Sequence, residues 1–97
     1  MQNSEEIIRI IRTEVEERQA FLEKGLTLSS LAQRCGINRS YVSMAIQALG
    51  GFNAYIGRCR LAYLENWRAE NPAASLSKAI HAAGFRSRQT YYNLLQQ

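Results

Sequence analysis

In LTLSSLAQRCGINRSYVSMAIQAL, residues 26–49, an apolar set at helical spacing (Leu28, Leu31, Ala32, Cys35) is cut by Gly36. A single apolar residue follows, Ile37, and a second helical set restarts behind Asn38, with Val42, Ile46 and Leu49 on one face. Thr27 and Asn38 are side chains suited to capping the two helices, and the glycine supplies the stop between them. Two short helices joined by a three- or four-residue glycine turn are the pattern of a helix-turn-helix.

The same pattern returns later in the chain. Leu28-Ser29 and Gly36-Ile37 match Leu76-Ser77 and Gly84-Phe85 at an offset of 48 residues. Beyond the turn the offset becomes 49, pairing Asn38 with Ser87, Val42 with Tyr91 and Ile46 with Leu95. One extra turn residue in the second copy explains the slip. The reading is therefore an all-α chain with two helix-turn-helix units, over 27–50 and 75–97, in a single domain covering 1–97.

Working outward, a linker helix is expected over 53–68, with Tyr55, Ile56, Cys59, Leu64 and Trp67 inward, closed by Asn71-Pro72. Gly57 inside it costs about 1 kcal/mol relative to alanine. An extra N-terminal helix is expected over 5–24 from the stripe Ile7, Ile8, Ile11, Val15 and Leu22. Asn3 with Glu6 resembles a capping box, Glu14–Arg18 is a favourable i,i+4 pair, and Gly25 is the expected left-handed cap. The acidic outer face of this helix reads as solvated.

Composition narrows the function. Apolar residues make up 46% and charged residues 21% of the 97, an ordinary globular balance. No apolar run approaches the ~20 residues of a membrane span, so no membrane contact is expected, and no signal-peptide profile opens the chain. Two cysteines and one histidine make neither a disulfide framework nor a zinc site, so neither metal nor cofactor is expected. An enzyme is not expected either: there is no aspartate, no glycine-rich phosphate loop and no thiol pair. The setting this suggests is cytoplasmic.

The net charge of +4 is unevenly spread. Residues 1–24 hold four basic and six acidic side chains, net −2. Residues 25–97 hold eight basic against only Glu65 and Glu70, net +6, which points to a polyanionic partner. The outward face of the second helix in the first unit carries Arg39, Ser40, Ser43, Met44 and Gln47. In the second unit it carries Arg88, Gln89, Tyr92, Asn93 and Gln96. Neither face has an acid. Arginine and glutamine are bidentate readers of guanine and adenine, serine is versatile, and methionine or tyrosine can touch a thymine methyl. Double-stranded DNA is the expected partner, with Thr27, Arg58, Arg60, Ser75, Arg86 and Gln96 as phosphate candidates.

From about Leu26 to Gln97 the chain resembles the DNA-binding domain of AraC/XylS-family transcription regulators. LTLSSLAQRCGINRSYVSMAIQALGGFNAYIGRCRLAYLENW is similar to the family's first helix-turn-helix and linker helix, and LSKAIHAAGFRSRQTYYNLL to its second. The resemblance implies two recognition helices entering successive major-groove faces, and transcriptional control with a sensor or dimerisation domain, or RNA polymerase, as protein partner. It implies base-reading positions at Ser40, Ser43 and Met44, flanked by Arg39 and Gln47, and at Arg88, Gln89, Tyr92 and Asn93. Arg60 matches an arginine common in the family's linker helix.

The departures are specific. Met44 and Asn93 stand where the family often has arginine, Gln47 and Gln96 where it often has lysine, and Leu95 replaces a usual phenylalanine. The family pattern continues into a final helix after the position of Gln97. The expectation is therefore a fragment of a longer regulator, with Tyr91, Leu94 and Leu95 packed inward but incompletely covered. The missing basic residues also fit an interaction module that retains the fold with weak or lost DNA binding; salt-dependent retention on duplex DNA separates the two. His81 reads as a surface or phosphate-near residue, Cys35 and Cys59 as buried thiols, and Tyr41 and Tyr91 as core aromatics.

Overall fold

The computed structural model describes residues 3–96. Met1, Gln2 and Gln97, which the expected spans 1–97 and 75–97 include, lie outside them. The described residues are all-helical, in the order α1 (Ser4–Arg12), α2 (Leu28–Cys35), α3 (Arg39–Gln47), α4 (Phe52–Glu70), α5 (Leu76–Ala82) and α6 (Arg88–Leu95). A π-helical turn (Thr13–Glu17) and a 3₁₀ turn (Ala20–Leu22) connect α1 to α2.

The N-terminal helix is shorter than its periodicity predicts. Asn3 caps it by accepting from the Glu6 N–H at 2.8 Å. It widens into the π turn at Thr13 and breaks at Gln19, whose φ of 59° is left-handed, so Gln19 and not Gly25 ends it. The break turns Ala20 and Phe21 into the core, Phe21 meeting the edge of Tyr63 with ring centroids 5.8 Å apart. Glu14 is also drawn in. It lies buried in the π turn, 2.9 Å from Arg18 and 3.6 Å from Arg34, so the acidic face is not uniformly solvated.

Two apolar clusters are strung along α4. The larger joins Ile7, Ile11, Val15, Phe21, Leu31, Val42, Ile46, Tyr55 and Ile56. The smaller joins Leu64, Ala79, Ile80, Ala83, Phe85 and Tyr91, with Trp67 and Leu94 against it. A helix of 19 residues is about 28 Å long. Separate cores at its two ends account for the elongated form, 49 × 24 × 19 Å.

Two packing expectations are corrected. Tyr41 is 54% exposed on α3, because it precedes Val42 by one residue and is turned about 100° from the buried stripe. Leu95 is 51% exposed, since Tyr91 and Leu94 already occupy the inward side of α6. The cysteines are half-buried, and burial pushes both thiols above their ordinary range.

Candidate nucleic-acid interface

Both short-helix pairs are built by the same local chemistry. Thr27 and Ser30 form a reciprocal capping box at the start of α2, and Ser75 caps α5 through the Lys78 N–H at 3.2 Å. Gly36 and Gly84 take left-handed φ of 68° and 87°, closing the first helix of each pair. The next residue turns inward in both: Ile37 N–H donates to Ala32 O at 3.2 Å, and Phe85 N–H donates to Ile80 O at 3.3 Å. Both plugs are buried. Asn38 then caps α3 at the Ser40 N–H (2.8 Å), and Ser87 caps α6 at the Thr90 N–H (3.1 Å).

These turns leave one face of each second helix in solvent. α3 buries Val42, Ala45 and Ile46, so Arg39, Ser40, Met44 and Gln47 are exposed and Ser43 is half-buried. Met44 stands out at 71% exposure, with exposed Tyr41 on the same helix. α6 buries Tyr91 and leaves Arg88, Gln89, Tyr92, Asn93 and Gln96 exposed. Gln89 Nε2 donates to Asn93 Oδ1 at 2.8 Å, so these two side chains hold one another in place. No carboxylate side chain belongs to α2, α3, α5 or α6.

The phosphate candidates divide. Thr27, Ser75, Arg86 and Gln96 are exposed, the first two with hydroxyls already accepting from their own helices. Arg58 is exposed, but its guanidinium donates to Leu49 O and lies against Gly50. Arg60 is a correction. It is 9% exposed, donating from Nε to Phe21 O at 2.7 Å and from Nη2 to Glu23 O at 2.9 Å. The broken N-terminal helix offers carbonyls there, and Arg60 takes them. Its guanidinium also stands 6.0 Å from the centre of the Phe85 ring, so it touches both apolar clusters. Burial lowers its pKa from the ordinary arginine value.

Sequence reasoning missed three things. Arg60 lies four residues from both Ile56 and Leu64, on the buried stripe of α4, and that spacing is the signal that could have found it. Glu16 was unremarkable in sequence, yet accepts the Tyr55 hydroxyl at 2.6 Å from 39 residues away. The Lys24 ammonium lies against His81 Nδ1, a contact no spacing predicts. Of the site candidates, Arg60, Arg86 and Asn93 come together around one cavity, whereas Met44 borders a separate one beside α1. Among the described residues no group of three or more His, Cys, Asp or Glu could hold a metal ion, and no helix is long and apolar enough to cross a membrane.

No protein-family model, no curated protein and no solved structure matches this chain.

Proposed function

We propose that the chain is a sequence-specific double-stranded-DNA-binding module of a transcription regulator, without catalytic activity and working in the cytoplasm. In this reading α2–α3 and α5–α6 are two helix-turn-helix units, α4 is their linker, and α3 and α6 are the recognition helices of an AraC/XylS-like domain. The observation that carries it is the matched pair of exposed, acid-free faces, each opening directly behind a glycine turn, a buried plug and a side-chain cap. A capped helix held off the core by such a brace is the geometry with which a major groove is read. Arg39, Ser40, Ser43, Met44 and Gln47 act from α3; Arg88, Gln89, Tyr92 and Asn93 act from α6. A sensor or dimerisation domain, or RNA polymerase, is the protein partner.

The test is selection of binding sites from a random duplex pool, followed by titration at several salt concentrations. Each neutralised phosphate contributes about −0.9 to the slope of log affinity against log salt, so roughly four to six contacts give a slope of about −4 to −5. Arg88→Ala or Gln89→Ala costs about 1–3 kcal/mol on the selected site and relaxes preference at one or two base pairs. An unenriched pool together with a flat salt titration would overturn the reading.

A further inference from the structure

A cavity of about 350 Å³ lies between α4, the segment ahead of α2 and the second helix pair. Residues ahead of α2, the first half of α4, the α5–α6 turn and α6 itself all contribute to its wall. Three cations line it, Lys24, Arg60 and Arg86, and no carboxylate does. Arg60 is the telling one. Its two hydrogen bonds go to neutral carbonyls, and Nη1 has no hydrogen-bond partner among the described residues. Glu23 lends Arg60 its carbonyl but gives its carboxylate to Arg34 at 2.8 Å. A nine-tenths-buried positive charge is thus hydrogen-bonded but not neutralised, a state that a bound anion relieves. The rest of the wall combines apolar Leu26, Ile56, Phe85 and Leu94 with polar Asn53, Thr90 and Asn93.

We propose that this cavity binds a small amphipathic carboxylate, its anionic end on Arg60, Arg86 and Lys24 and its hydrocarbon body against Leu26, Ile56, Phe85 and Leu94. The volume falls within the range of small-molecule sites, about 300–1,000 Å³. A bare phosphate would leave the apolar wall wet, which favours an occupant with both characters. Because the wall draws on the segment ahead of α2, on α4 and on the second helix pair, the occupant ties α6 to α4 and to that segment. Asn93 both lines the cavity and belongs to the α6 reading face, so carboxylate and DNA affinities are coupled, a clause that rests on the DNA-binding reading.

The experiment titrates the isotope-labelled full chain with hexanoate, 1-hexanol and inorganic phosphate at constant ionic strength, following backbone amide shifts. Hexanoate gives saturable shifts at Ile56, Gly57, Thr90 and Leu94 with a Kd of about 1 mM, and the other two probes bind about tenfold more weakly. The double variant Lys24→Gln/Arg86→Gln weakens hexanoate about tenfold while leaving the thermal midpoint in place. Asn53→Trp, on the exposed rim, blocks binding without removing a cation. Equal binding of hexanol means an apolar hole without anion recognition. Equal binding of phosphate means a bare-anion seat such as a DNA backbone would occupy. Either result, or no saturable shift up to about 10 mM hexanoate, overturns the proposal. Duplex affinity with and without hexanoate is measured separately, so a failure of DNA binding leaves the amide-shift result intact.

Discussion

Leu94 sits on the bare Cα of Gly57: a methyl group built on that glycine would meet both Leu94 δ-carbons at 2.9 Å. α6 therefore docks on α4 through a leucine seated where α4 has no side chain. The glycine that weakens α4 as a helix is what lets α6 come close. In the wild-type background Gly57→Ala gains about 1 kcal/mol of helix propensity but must displace Leu94. With Leu94→Ala already present, the same change stabilises by about the full 1 kcal/mol. A double-mutant cycle by urea unfolding measures the difference, and additivity would mean that the two residues do not press on one another.

Gly36 and Gly84 are left-handed to similar degrees, yet their surroundings differ. A Cβ on Gly36 meets nothing within 4 Å, whereas one on Gly84 meets the Leu22 backbone at 2.8 Å. Gly36→Ala should cost only the conformational penalty, about 1–2 kcal/mol. Gly84→Ala adds a collision with main chain that cannot rotate away, for about 3 kcal/mol or more. Unfolding midpoints of the two variants, measured side by side, give the comparison.

Tyr55 donates its phenolic proton to Glu16, and burial first, then that bond, holds its pKa far above the ordinary value of 10. A raised folded-state pKa means that the contribution is complete below the unfolded value and is lost as pH climbs past it. Stability should therefore decline above about pH 10, where the unfolded chain releases a proton that the folded chain retains. Tyr55→Phe costs about 1 kcal/mol at neutral pH and flattens the alkaline decline. Equilibrium unfolding of both proteins between pH 8 and about 11 checks the slope.

The two ends of α4 should not open together. α6 contributes only Tyr91 as a fully buried residue, with Leu94 half-covered, while the first cluster takes side chains from α1, the 3₁₀ turn, α2, α3 and α4. Amide exchange in residues 88–96 is expected at a clearly lower opening free energy than in residues 28–64. Uniform protection along the chain would mean that α6 is held by more than its few apolar contacts.

Much of this was written into the chain in local form. Thr27, Asn38, Ser75 and Ser87 act as caps within a few residues of themselves, and Gly36 and Gly84 stop helices wherever they fall. Local rules find such features because the partner atoms are close in sequence. What escaped depends on atoms brought together from afar. No neighbour of Gln19 announces a left-handed break; it follows from the need to turn Phe21 toward Tyr63. Arg60 looked like a surface cation because its carbonyl acceptors lie 39 and 37 residues upstream. The exposed, acid-free faces of α3 and α6 followed from helical periodicity, but the cavity beside α6 draws on three separated segments and had no pattern to betray it.

The meeting of Gly84 with Leu22 has an evolutionary consequence. The turn is fitted to the main chain of Leu22, to its Cα, carbonyl carbon and oxygen, not to its side chain. One partner is thus judged by identity and the other only by position. Drift at residue 22 among apolar residues passes unnoticed by the second helix pair, while residue 84 has no substitute. Among functional variants from a saturation library, residue 22 should be permissive and residue 84 all but invariant, although the two are in direct contact. Covariation between them would be silent, and a contact map inferred from paired substitutions would miss this meeting of the two halves.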